Sequence, residues 1–242
     1  MVDLSDFEVL SFDCYGTLID WETGIWDAFQ PVLMENGRDD ISRAALLEAF
    51  AEVESRLERE HPALPYDRIL EMVHAELRRR FELSGSGDMD GAFGASLPHW
   101  PAFPDTAEAL RLLKRRFRLV ILSNVHREGF AASNRKLGVR FDAVLTAQDI
   151  GSYKPDPANF RHLVAHVREV WGMAPERILH VAQSMFHDHV PAGKAGLARI
   201  WIDRQGLSRG GGWGATARVD TLPEPLATYP DLASFAAAAV PS

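Results

Sequence analysis

The 242-residue chain is long enough for one large domain or for a core with a smaller domain inserted, and it can bury a sizeable core without disulfides. Hydrophobic residues make up 46% and charged residues 25%, the composition of an ordinary globular protein. A formal charge of −8 argues against a general nucleic-acid or membrane-surface binder, yet a local cluster of cations and backbone amides can still hold an anionic substrate.

The single cysteine, Cys14, cannot form an internal disulfide, so a reducing, cytoplasmic setting is expected. The opening MVDLSDFEVL has no basic n-region and no long apolar stretch, which predicts no signal peptide. No segment reaches the roughly 20 apolar residues of a membrane span, so no membrane partner is expected.

In chain order, the apolar run Val9 to Phe12, closing on Asp13 and turning at Gly16, predicts a buried strand and turn. From Trp21 to about Phe81 the rhythm changes. ISRAALLEAFAEVESRLERE and YDRILEMVHAELRRRFEL carry apolar residues three and four apart with charges between them, the pattern of amphipathic helices. SGSGDMDG breaks that pattern, and the proline-rich LPHWPAFPD reads as the return hinge of an inserted helical domain.

After Asp105 strands and helices alternate. FRLVILSN, FDAVLT, RILHVAQS and ARIWID read as strands, separated by HREGFAASNRKLG, PANFRHLVAHVREVWG and HDHVPAGKAG as helices. This alternation predicts an α/β fold, a parallel sheet with helices on both faces, whose ligands bind at the carboxyl ends of the strands. That rule makes Asp13, Ser123, Asn124, Gln183, Ser184 and Asp188 neighbours despite their distance in sequence. The glycine-rich QGLSRGGGWGATARVD is expected to be a surface loop.

An aspartate after a strand is most often a turn former or helix cap. Asp13 gains weight from its company, with Thr17 four residues on and a lysine and hydroxyls at later strand ends. A carboxylate so placed can act as a nucleophile, splitting a hard displacement into two easier steps through an ester.

FDCYGT resembles the first motif of the haloacid dehalogenase superfamily, whose leading aspartate is the nucleophile. LVILSN is similar to its second motif, with Ser123 at the hydroxyl position. SYKPDP is similar to the third, with Lys154 as its cation, and HVAQSMFHDHVPAGKAG to the fourth, with Asp188 as the surviving acid. The ordered set spans essentially the whole chain. It implies a Rossmann-like catalytic core over residues 1–20 and 100–242, with residues 21–99 as an inserted α-helical cap.

Most members of that superfamily are Mg²⁺-dependent phosphatases with Asp-x-Asp in the first motif and Gly-Asp opening the fourth. Here Tyr15 stands at the general-acid position, and Ala182 and Gln183 replace the pair that supplies a metal carboxylate. Asp13 and Asp188 alone make a poor cage for a hard cation. The Asp-x-Tyr-Gly-Thr form resembles the L-2-haloacid dehalogenases, which use no metal and no other cofactor. A halide is a leaving group that needs neither acid nor metal.

The resemblance implies a short 2-haloacid as substrate and halide as product. Asp13 would attack the halogen-bearing carbon, and Lys154 would hold Asp13 ionised. Thr17, Ser123 and Asn124 would position substrate or nucleophile, and Asp188 would orient or deprotonate the hydrolytic water. Tyr15 and Tyr153 are expected as walls and Gln183 and Ser184 as substrate neighbours; Trp100 and Phe103 are expected first as core or hinge packing at the cap–core seam, with a dry wall of the substrate site as their second reading. The dehalogenases carry a cap arginine for the halide in a Trp-Arg-Gln-like stretch. That stretch is absent here, and Arg43 is the candidate for the role.

His187 and His189 flank Asp188, but residues two apart on a helix face away from each other, which argues against a histidine metal site. Amphipathic cap helices make a homodimer an expectation. Two rivals are an Mg²⁺-dependent phosphatase of small phosphomonoesters and a non-catalytic binding protein on the same fold.

Overall fold

The computed structural model describes residues 3–241; Met1, Val2 and Ser242, the extreme ends of the expected core segments, lie outside the described residues. β1 (Val9–Phe12) is followed by four helices, α1 (Trp21–Glu35), α2 (Arg43–Glu60), α3 (Tyr66–Arg80) and α4 (Gly87–Gly94). The chain then runs α5 (Thr106–Leu113), β2 (Arg118–Ser123), α6 (Arg127–Leu137), β3 (Ala143–Thr146), α7 (Ala147–Ile150) and α8 (Pro157–Trp171). It closes with β4 (Ile178–Ala182), α9 (Val190–Lys194), β5 (Ala198–Ile202), β6 (Ala227–Tyr229) and α10 (Leu232–Ala239).

The six strands form one parallel sheet in the order β3-β2-β1-β4-β5-β6. β1 is central and every residue of it is buried, as a strand covered on both faces requires. Phe12 pairs with Ile121 on one side and Val181 on the other, so Asp13 emerges where the strand order reverses, between β1 and β4. Such a switch point is where open α/β sheets place their ligands. On one face Val9, Val120, Leu122 and Ile178 pack with Phe160, Leu163 and Val167 of α8. On the other, Leu10, Phe12, Leu119 and Ile121 join a core that runs through α5 and α10 into α1–α3.

Local chemistry sets the element ends. The Asp20 carboxylate accepts from the Thr23 amide at the start of α1, and the Ser42 hydroxyl from the Ala45 amide at the start of α2. Gly138 and Gly172 adopt left-handed backbone and stop α6 and α8, as expected from the sequence. No helix among the described residues is long and apolar enough to cross a membrane.

Three regions differ from the sequence reading. The segment read as a break contains α4, whose last residue, Gly94, serves close packing: a Cβ there would sit 2.7 Å from the Asp67 carbonyl of α3. Phe93 of α4 is buried against Phe29 and His74, and Asp90 takes hydrogen bonds from Arg78. Tertiary contact thus overrides poor helix propensity. β6 and α10 follow the proline-bearing tail and were not expected, nor was α5. The glycine-rich tail also does more than cover the surface, because Ala215 is buried and Ala215, Thr216 and Ala217 reach the central cavity.

Candidate active site

A cavity of about 90 Å³ lies between the carboxyl ends of β1 and β4 and the α1–α3 layer. Its sheet side is formed by Asp13, Lys154 and Asp188, with Asn124, Gln183 and Ser184 around them. Its helical side is formed by Trp21, Ala51, Glu54, Ser55, Glu58 and Tyr66.

Asp13 sits at the tip of β1, its amide bonded to the Val181 carbonyl. The turn that follows needs a glycine: Gly16 has φ +95°, and a Cβ there would lie 3.2 Å from both Gln183 Oε1 and Trp21 Nε1. The turn returns Thr17 so that its hydroxyl donates to Asp13 Oδ2 at 2.7 Å and accepts from the Gln183 amide at 2.9 Å. Arg204 braces this loop by donating to the Thr17 carbonyl.

Lys154 Nζ donates to Asp13 Oδ1 at 2.8 Å and to Asp188 Oδ1 at 2.7 Å, and all three side chains are almost fully buried. The lysine is held at its root by Asn124, whose Oδ1 accepts from the Lys154 amide at 2.6 Å and whose Nδ2 donates to the Lys154 carbonyl at 3.0 Å. Burial disfavours the ammonium, but the two carboxylates outweigh it and raise the Lys154 pKa above its ordinary value. Lys154 therefore stays cationic. Burial also raises the Asp13 carboxyl, and the Asp188 charge adds to this against the pull of Lys154 and Thr17. At Asp188 burial is overcome by Lys154 and His180, which hold it below the usual carboxylate range.

His180 of β4 was not singled out from the sequence. Its Nε2 lies 3.0 Å from Asp188 Oδ1 and its Nδ1 2.9 Å from the Ser11 hydroxyl of β1. The ring thus bridges the Asp188 carboxylate and the Ser11 hydroxyl, with Nε2 as the donor to the carboxylate. The available signal was a polar residue inside each of two apolar strands, since Ser11 and His180 are direct register partners. Asp188 Oδ2, in contrast, is buried with no hydrogen-bond partner among the described residues, and so is Ser123 Oγ at the end of β2.

The structure brings Asp13, Thr17, Asn124, Lys154, Gln183, Ser184 and Asp188 together. Tyr15 turns its hydroxyl to Ser133 at 2.9 Å and packs edge-on to Trp100, so it offers the cavity a ring. Burial pushes its phenol well above the ordinary tyrosine value, which leaves it a poor acid. Ser184 Oγ caps the next turn by accepting from the His187 amide.

Tyr153 does not join the site: its hydroxyl donates to the Leu64 carbonyl in the α2–α3 connection. Arg43 also lies elsewhere, donating to Thr23 Oγ1 at the solvent-exposed start of α2. Trp100 and Phe103 are one layer behind the wall, Trp100 against Tyr15 and Tyr66, and Phe103 beneath the Arg204 guanidinium. The two histidines diverge, His187 toward the cavity and His189 back to the Ala182 carbonyl. Burial lowers both, to about 4, so both rings are neutral near pH 7.

Two cavity residues that sequence reasoning missed are Glu54 and Glu58, one turn apart on α2. The Tyr66 hydroxyl donates to Glu54, and Asn124 Nδ2 reaches Glu58 at 3.2 Å. Burial raises Glu54 to about 7, and burial together with the Glu54 charge raises Glu58 well above the ordinary value.

The donor set does not fit a magnesium ion. Lys154 Nζ occupies the point shared by Asp13 and Asp188, and Gln183 Nε2 is committed to Gln205 and Thr216 at 2.6 and 3.1 Å. The Gln183 amide adds no charge for a hard cation, and the two carboxylates that could, Asp13 and Asp188, are already paired by Lys154.

A central carboxylate at a sheet switch point, paired to a buried lysine and roofed by helices, is a reactive-carboxylate site on a doubly wound α/β sheet. The haloacid dehalogenase-like hydrolase family matches residues 7–182, and the chain belongs to that family. It is similar to (S)-2-haloacid dehalogenase 4A of Burkholderia cepacia, 26% identical over 204 residues, covering 81% of this chain and 82% of the relative. A shorter likeness, 30% over 118 residues and under half of each chain, is to phosphoserine phosphatase of Thermus thermophilus. The fold is that of L-2-haloacid dehalogenase from Xanthobacter autotrophicus, solved with chloropropionic acid covalently bound. The TM-score is 0.76 at 18% identity, covering 98% of this chain and all of the other.

Proposed function

We propose that the protein is a metal-independent hydrolase of short 2-haloalkanoic acids, working through an ester on Asp13 beneath a cap formed by residues 21–99. The observation that carries this reading is the disposition of Tyr15 and Gln183. One presents a ring whose hydroxyl is bound to Ser133, the other an amide bound to Gln205 and Thr216. Neither can give a phosphate ester its acid or its metal.

In the first step an Asp13 carboxylate oxygen bonds to C2 from the sheet side. The carbon–halogen bond breaks, the halide keeps the bonding pair, and the centre inverts. Lys154 keeps Asp13 anionic and Thr17 fixes its plane. The substrate carboxylate sits at the Asn124 side of the cavity; Ser123 Oγ, buried next to Asn124 at the end of β2 and without a partner among the described residues, is the further donor this reading assigns to it. In the second step water attacks the Asp13 carbonyl carbon, and the 2-hydroxy acid leaves. The free Asp188 Oδ2 faces this water; held weakly basic by Lys154 and His180, it orients the water before it takes a proton.

The test is halide release from chloro-, bromo- and fluoroacids in the presence of a chelator, with small phosphomonoesters alongside. The expected outcome is halide release that survives chelation and falls at least about 10³-fold in Asp13→Asn. Phosphate release that requires Mg²⁺, with no halide release, would replace this reading by the phosphatase one.

A further inference from the structure

The displacement proposed above fixes where the halide goes. The nucleophile approaches from the sheet side, so an in-line leaving group departs toward the helical side. Among the described residues, that side of the cavity carries no lysine or arginine. Arg43 is engaged with Thr23, and Arg59 is exposed on outer grooves that share only part of the cavity lining. What faces the departing halide is a pair of carboxyl groups, Glu54 and Glu58.

We propose that Glu58 is a further catalytic residue: its carboxyl, in the protonated form, donates a hydrogen bond to the halide as it leaves. An ionised carboxylate would repel the halide, so only the neutral acid suits that position. Of the two acids, Glu58 is the free one. Glu54 is engaged by the Tyr66 hydroxyl, whereas the only hydrogen-bond partner of Glu58 among the described residues is Asn124. Asn124 also holds the root of Lys154, so Glu58 is tied to the same frame as the nucleophile's cation. Glu58 is itself only 5% exposed. In the same cavity the buried, unpartnered Asp188 Oδ2 marks a second polar atom that only water or substrate can satisfy.

The surroundings favour the neutral acid. Glu54 and Arg59 flank Glu58 on α2, Tyr66 faces it from α3, and Tyr153, Lys154 and His187 face it from the sheet side, with Asp13 and Asp188 beyond. Burial and Glu54 raise its carboxyl, while Lys154, Asn124 and Arg59 oppose them without prevailing. The step balances without proton transfer. The Asp13 oxygen–carbon bond forms, the carbon–halogen bond breaks, X⁻ takes the electron pair, and Glu58 keeps its proton in O–H···X⁻. The benefit is greatest for the halide with the strongest demand for a hydrogen bond, fluoride, and least for bromide.

This inference rests on the dehalogenase reading, and the experiment separates the two. Halide release from fluoro-, chloro- and bromoacetate is followed from pH 5 to 10 for wild type, Glu58→Gln and Glu58→Ala, with circular dichroism to confirm folding. In wild type kcat should decline on the alkaline side as Glu58 ionises. Glu58→Gln, a neutral donor at every pH, should lose that decline and stay within roughly tenfold of the wild-type maximum. Glu58→Ala should cut kcat roughly ten- to a hundredfold, most for fluoride and least for bromide, with KM little changed. Wild-type rates in Glu58→Ala, or an alkaline decline that persists in Glu58→Gln, would overturn the assignment while leaving the dehalogenase intact. If Glu58→Ala does not fold, the Glu58→Gln profile decides alone. No halide release by wild type from any haloacid removes both readings.

Discussion

On the sheet side of the cavity each carboxylate has a permanent partner, and on the helical side none is paired to a cation among the described residues. Asp13 and Asp188 share Lys154, with Thr17 and His180 adding a hydrogen bond each. Glu54 and Glu58 line the same cavity but receive only a phenol and an amide. The same residue chemistry therefore ends in opposite states. Burial is overcome by a cation at Asp188, is opposed by the same cation at Asp13, and prevails with no paired cation at Glu54 and Glu58. The lesson is that a buried acid keeps its charge only where the fold supplies a counter-charge, so one cavity can hold a carboxylate to attack and a carboxyl to donate.

Breaking the sheet side should have the largest effect. Lys154→Met leaves two carboxylates buried without their cation. The expected cost is about 3–5 kcal/mol of stability in urea unfolding at pH 8, with activity lost at least about a hundredfold. The stability loss should shrink at pH 4, where protonation relieves the repulsion; an equal loss at both pH values would mean that the lysine acts through packing alone.

His180→Gln perturbs the same side more gently. It should slow ester hydrolysis about tenfold while sparing the first step, so the alkylated Asp13 peptide accumulates and is visible by mass spectrometry. A uniform loss in both steps would place the histidine in folding rather than in holding Asp188.

The helical side is tested through stability. The Glu54 pKa is raised from 4.5 to about 7, so the folded protein binds the proton more tightly than the unfolded chain does. The stabilisation is complete below pH 4.5 and is lost as pH rises toward 7 and slightly beyond. Glu54→Gln should therefore melt close to wild type at pH 5 and at a higher temperature than wild type at pH 8. The smallest effect belongs to Arg43→Ala, which should change kcat/KM by less than about twofold, because its guanidinium is outside the cavity.

Much of this architecture is legible in the sequence, for reasons that differ by element. The strands bearing Asp13, Ser123 and Gln183 at their tips are apolar runs with few competing readings. α4 was hidden because its glycines lower helix propensity, and the contact with α3 that explains Gly94 is not legible in the sequence. β6 was hidden because three residues after a proline-bearing stretch carry no periodicity, and pairing with β5 supplies their order. The sheet side of the site follows strand tips and can be assembled from a topology rule. The helical side cannot: Glu54 and Glu58 at i and i+4 on an amphipathic helix look like any solvated face until the helix is seen to cover the cavity.

Whether Asp13 carries the ester is read out by oxygen labelling. Wild-type protein turning over a chloro- or bromoacid in ¹⁸O water with chelator present should incorporate ¹⁸O into the Asp13 side chain over many turnovers. In a single turnover the label should appear on Asp13, and the first 2-hydroxy acid released should carry the original ¹⁶O. Halide release with an unlabelled Asp13, and solvent oxygen entering the product in its first turnover, would contradict the account.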